Sequence, residues 1–228
     1  MALRTIHLAL SVVVTLQLAV ANGQQPATTI PIAADWPRIA VQLEAMLDLD
    51  QSTRKILATL RRQTEGNQLR SEQQDVGTLR AKMSQDDATN LGQLKAIVSQ
   101  HGWPHKSAVG SKAALGAWAV LQHADAQYQI EVAPLIRAAV RIGEADGASL
   151  ALLEDRILVS QRLPQLYGSQ VSSVGAYVSL FKVSDETKLD RRRAEVGLEP
   201  ICTYLKRFLA VGGEIMFAPC TTPVNFQK

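Results

Sequence analysis

Asp50 and Arg54 stand four residues apart in a segment where Ile39, Leu43, Met46, Leu47, Leu57 and Leu60 recur with the period of one helix face. Both charges fall inside that apolar stripe. Opposite charges at this spacing attract on any helix. On a core-facing stripe they must also be paired or line a cavity, because an isolated buried charge is very costly. Further along, Gln122, His123 and Asp125 follow an almost unbroken apolar run, so at least one of them points inward. A buried-edge imidazole oriented by a carboxylate suits general acid–base work. A third insertion, Glu154-Asp155-Arg156, interrupts Leu150–Leu153 and Ile157–Val159. On a helical wheel Asp155 falls near Ala151, Leu152 and Val159, and Arg156 between Leu152 and Leu153.

These residues suggest a polar site inside an apolar framework. His123, Asp50 and Asp155 are the candidate catalytic groups. Arg54, Gln122, Asp125, Arg156 and Arg192 are candidate ligand-binding groups, joined by Gln165, Tyr167 and Gln170, which add a hydroxyl and two amides. The arginines suit a small anionic ligand. Each feature also has a structural explanation: an ion pair between helices, or a core histidine satisfied by a polar neighbour. Asp125, two residues from His123, points elsewhere on a helix, so that pair is no ready-made dyad.

The elements that must carry these groups are mostly helical. A first helix is expected from Asp35, a good N-cap, with Pro37 in its opening turn, to about Arg62. Residues 63–85 are polar, and leave open an exposed helix or an excursion. A second helix covers about 86–100 and stops at Gly102-Trp103-Pro104. A third, apolar on nearly every side, runs from Ser111 to Gln127 and is expected at the centre. Helical pattern resumes over 130–142, with Pro134 in or near the first turn, and over 148–161. Pro164 ends the run. Residues 166–171 and 177–183 read as a short hairpin turning at Ser172–Gly175, before two last helices over about 187–196 and 199–210. The fold class is a mostly α single domain with a small β-hairpin.

The N-terminal residues read as an export signal. Arg4 is followed by an apolar stretch from Ile6 to Leu18, and Ala19-Val20-Ala21 supplies small residues for cleavage before Asn22. Residues 1–21 are thus expected to be removed, 22–34 to form a linker, and 35–228 to form the domain, placed in the periplasm or outside the cell with no membrane span after cleavage. The chain has 228 residues and a formal charge of +3, which falls by one when Arg4 leaves. Charges of both signs are interleaved, and the one cationic cluster, Arg191-Arg192-Arg193, is flanked by Asp190 and Glu195, so a nucleic-acid partner is disfavoured. Two cysteines, Cys202 and Cys220, suit a disulfide outside the cytoplasm.

Other chemistry finds little footing. Gly102-Trp103-Pro104 prevents His101 and His105 from forming a helical i,i+4 metal pair, and no HExxH, GxSxG, P-loop or GxGxxG is present. No metal or cofactor is expected. Trp103 and Trp118 suit core packing.

The chain resembles a family of bacterial proteins of unknown function. The resemblance rests on Asp50-Gln51-Ser52-Thr53-Arg54, Leu94-Lys95-Ala96-Ile97-Val98, Gly102-Trp103-Pro104, Gln122-His123-Ala124-Asp125, Asp155-Arg156, Gln165-Leu166-Tyr167-Gly168-Ser169-Gln170, and Arg192-Arg193 with Val196-Gly197-Leu198. Ser169 stands where Thr is expected. The resemblance implies a shared fold and polar site but no chemistry. Two functions follow: an exported small-molecule hydrolase or ligand-binding protein, or a non-catalytic cell-envelope module whose polar residues form a structural network.

Overall fold

Asp35 opens the first helix as its side chain predicts: Oδ1 accepts the Arg38 N–H at 3.2 Å, and α1 runs Trp36–Gln63. The computed structural model describes residues 34–63, 70–175, 177–209 and 213–221. The expected signal segment, the expected linker except Ala34, and residues 222–228 of the expected domain lie outside the described residues.

Helix α2 spans Arg70–His101, so most of the polar stretch left open by the sequence is helical. It contains straight-chain helix formers and no proline, and Lys82 pairs with Asp86 at 2.6 Å one turn on. Gly102 ends the helix at φ +77°, a conformation that suits glycine. After a short α3 (Lys106–Val109), α4 covers Ser111–Leu121. The expected helix to Gln127 is therefore cut in two. The Gln129 amide reaches the carbonyls of Leu121, Gln122 and Ala124 (3.1–3.3 Å). Asp125 then restarts the chain by accepting the Tyr128 N–H at 2.9 Å, an N-cap that begins α5 (Ala126–Arg141) earlier than expected. Pro134 consequently lies well inside α5, not near its first turn. Asp146 caps α6 (Gly147–Ser160) through the Ser149 N–H at 2.8 Å.

Helices α1 and α4 approach closely at Gly116. A Cβ on Gly116 would stand 2.2 Å from the Leu43 carbonyl oxygen, so only glycine permits this distance. Leu43, Leu94, Ala113, Leu121, Ile136 and Leu153 are at the heart of the resulting helical core. Trp118 adds a polar tie, donating Nε1–H to the Ser149 carbonyl at 3.0 Å.

The second strand of the hairpin begins at Tyr177 as expected and ends earlier, but the first lies further along. Strands β1 (Val171–Val174) and β2 (Tyr177–Leu180) pair antiparallel, while residues 166–170 form a loop. That loop's backbone is satisfied by side chains from elsewhere, so it needs no ladder partner. Strand β3 (Glu214–Ile215) adds in parallel to β2. A 3-10 turn at Glu186–Lys188, α7 (Leu189–Glu195) and α8 (Ile201–Lys206) complete a second apolar cluster around Val178, Leu189, Leu205 and Phe217. Cys202 and Cys220 are disulfide-bonded beside it.

Candidate functional site

Burying Asp50 on the α1 stripe requires partners, and the structure supplies three. Arg54 Nε donates to Oδ1 at 3.0 Å, and the Gln51 amide donates to Oδ2 at 2.8 Å. Oδ1 also lies 3.6 Å from His123 Nε2. The Asp50 side chain is 1% exposed, against 29% for His123. Arg54 turns its other end to α2, where Nη2 meets Asp87 Oδ1 at 2.7 Å and Nη1 approaches Met83 Sδ at 3.0 Å. Hydrogen bonds and attraction to Asp50 and Asp87 outweigh the burial that opposes its charge, and its pKa is raised.

His123 sits at the end of α4 among these charges. Burial, then the Arg54 guanidinium, push its pKa below the ordinary 6.5; Asp50 and Asp87 pull the other way, and Arg156 adds to the lowering. The imidazole is therefore neutral near pH 7 and able to accept a proton. Arg156 reaches the same region from α6, donating Nη1–H to the Gln122 carbonyl. A guanidinium at a helix C-terminus is favourably placed. Even so, it forms no ion pair among the described residues, and burial lowers its pKa. Among the described residues its other donors form no hydrogen bond.

Asp155, adjacent in sequence, faces the other way. Its wholly buried carboxylate accepts the N–H groups of Leu166 (2.7 Å), Tyr167 (3.0 Å to Oδ1, 3.2 Å to Oδ2) and Ser169 (2.8 Å). The carbonyls of the same loop are taken from its far side. Arg192 Nε donates to Leu166 O at 2.7 Å, Arg193 Nη1 to Tyr167 O at 2.5 Å, and Tyr204 Oη to Ser169 O at 2.9 Å. Arg192 also donates to the Ser184 and Asp185 carbonyls. Gln165 closes the loop: its amide donates to Gln170 O and Phe181 O, each at 2.9 Å, and accepts the Gln170 N–H at 2.8 Å. The Gln170 amide donates to Ser169 Oγ at 3.0 Å.

The sequence-derived candidates thus fall into two networks. Asp50, Arg54, Gln122, His123 and Arg156 come together at the α1–α2–α4 edge. Asp155, Gln165, Tyr167, Gln170 and Arg192 gather around the 165–170 loop, and among the described residues no hydrogen bond joins that loop to the first network. Tyr167 is half-buried; burial and the nearby Glu154 and Asp155 raise its phenol pKa. Asp125 stands apart as the α5 cap, its carboxylate 4.0 Å from Lys95. Among the described residues, no group of three or more His, Cys, Asp or Glu is placed to hold a metal ion.

Sequence reasoning missed Asp87, Gln129 and Arg193. Asp87 shares a helix stripe with Asn90, Leu94 and Ile97 at offsets of three, seven and ten, a signal available in the sequence. Arg193, 1% exposed, lies one turn beyond the buried Leu189, but its place within a run of three arginines suggested a solvated cluster. Gln129 carries no such signal, since its role depends on where α4 stops.

The model of a family described only as a family of unknown function, DUF6624, matches residues 37–213. No curated protein and no solved structure matches the chain.

Proposed function

We propose that this chain, which belongs to the DUF6624 family of unknown function, is an exported protein that binds a small anionic molecule between Arg156 and His123 and hydrolyses it with His123 as the acid–base group. The observation that carries this reading is a partly exposed imidazole, its pKa held below the ordinary 6.5 by burial, beside a half-buried guanidinium that has no carboxylate partner among the described residues. Asp50, itself neutralised by Arg54, stands where it orients the ring through Nε2 and stabilises the imidazolium. Nδ1 is then the base: it removes a proton from water as the water oxygen adds to the scissile centre, and returns it to the leaving group. Arg156 holds the anionic group through charge-assisted hydrogen bonds.

Export is supported by the Arg4-to-Ala21 pattern and by the Cys202–Cys220 disulfide. Among the described residues no helix is long and apolar enough to cross a membrane. Mass analysis of the secreted chain, beginning at Asn22, tests this part.

The site itself is tested by calorimetry with acetate and inorganic phosphate, and by turnover of 4-nitrophenyl carboxylic and phosphoric esters. Arg156→Gln should abolish anion binding, and His123→Gln should abolish turnover while anions still bind. The competing reading is a non-catalytic envelope module, favoured by the completeness of the Asp155 network. It gains if both variants only lower the melting temperature and no anion shifts it.

A further inference from the structure

A groove of about 600 Å³ opens between α1 and α4 beside the Asp50–His123 cluster, within the range of small-molecule sites. Its α4 wall is Leu115, Trp118, Ala119 and Gln122, at offsets of three, four and seven, so it runs roughly 10 Å along the helix. The two ends differ in character. At one, Leu115 and Trp118 are apolar, and the same two residues border a second cavity of about 290 Å³ floored by Trp103 and Ile136. At the other, Gln122 joins Gln51, whose amide holds Asp50, and Lys55. The charges on the rim are unequal. Asp48 shares Lys112 with Glu44, at 3.3 and 3.2 Å, whereas Lys55 forms no ion pair among the described residues. The Gln122 carbonyl also carries Arg156, and Arg54, Lys55 and Arg156 outnumber Asp50 and Asp87 there, so the polar end is net cationic.

We infer that the groove holds the body of an elongated amphipathic anion, its apolar part on Leu115 and Trp118 and its anionic head at the Gln122 end against Arg156. This rests on the proposed site and names its ligand class. A compact metabolite would leave the Trp118 end empty. A ligand with a flat or chain-like apolar body of about 10 Å fills the groove while its head reaches the imidazole.

The full chain is titrated calorimetrically with 2-naphthoate, and with acetate as a head without a body. Naphthoate is expected to bind at least about tenfold tighter than acetate. Leu115→Glu, at a half-exposed position that leaves folding intact, should remove that advantage without changing acetate affinity; Ser52→Trp, which fills the groove from α1, should do the same. Equal affinities for the two anions, or a naphthoate affinity that neither variant lowers, overturn the groove. Naphthoate binding that Leu115→Glu removes but Arg156→Gln leaves intact overturns the head placement here and the anion site proposed above. Loss with Arg156→Gln but not with Leu115→Glu overturns the groove alone.

Discussion

Asp155 and Arg193 hold opposite sides of one residue: the Tyr167 N–H donates to Asp155 and the Tyr167 carbonyl accepts from Arg193. An isolated loop would leave these groups to water, but here they are partly buried, and each is matched inside the protein. The negative charge collects donors and the positive charge collects acceptors, so the loop between α6 and β1 is clamped without secondary structure. Arg193 also lies 4.8 Å over the Tyr204 ring, which ties the clamp to α8.

Asp155→Asn keeps the shape but presents an NH₂ group to backbone N–H donors, leaving at least one of them unmet. A loss of about 3 kcal/mol in urea denaturation is expected, together with faster hydrogen exchange at Leu166, Tyr167 and Ser169. An unchanged midpoint would show that the carboxylate is not the clamp.

Gly116 and Gly92 give opposite outcomes for the same substitution. At Gly116 the added methyl meets the Leu43 carbonyl, forcing α1 from α4, so Gly116→Ala should cost about 2 kcal/mol or more. At Gly92, in the interior of α2, nothing lies within 4 Å, and alanine should stabilise by about 0.5–1 kcal/mol through its better helix propensity. Thermal melts of the two variants decide it; a stabilised Gly116→Ala would contradict the observed α1–α4 approach.

The contrast between these helices and the loop explains what could be read from sequence. Asp35, the α1 stripe and Gly102 act locally, and their positions followed from propensity and period alone. The stop of α4 did not, because it depends on Gln129 reaching back from the next helix. The 166–170 segment looked strand-like for its residue types, yet its register is set by Asp155, Arg192 and Arg193, which are distant in sequence. Asp50 and Arg54 were legible because charges interrupted an apolar period. Their partner Asp87 carried the same kind of signal, on a stripe with Asn90, Leu94 and Ile97, but the polar residues around it masked that stripe.

The Cys202–Cys220 bond spans 18 residues and ties α8 to the short turn after β3. Constraining a loop of this length in the unfolded chain stabilises by about 3 kcal/mol in the chain-entropy model. Reduction, or the double variant Cys202→Ser/Cys220→Ser, should lower the urea midpoint accordingly. The helical core around Leu43 and Leu121 shares no residue with the cluster beside the disulfide, so exchange protection in α1 and α4 should outlast that in β2 and α8. Uniform loss across both clusters would show them to be one cooperative unit.

His123 makes stability depend on pH with a definite sign. Its folded pKa is depressed, by burial first and by Arg54 next, whereas the unfolded chain titrates near 6.5. Below that value the unfolded state binds the proton more tightly, so stability present above pH 6.5 is lost as pH falls toward and through the folded pKa. Urea midpoints from about pH 8 down to about pH 5 should therefore fall more steeply for the wild type than for His123→Gln, which has no proton to bind. The imidazole resonance should titrate below 6.5. Arg54→Gln should move it up by removing a facing cation, and Asp50→Asn should move it down by removing the anion at 3.6 Å. If it titrates well above 7, the ring is largely protonated at neutral pH, and its service as a base at that edge would lose its physical footing.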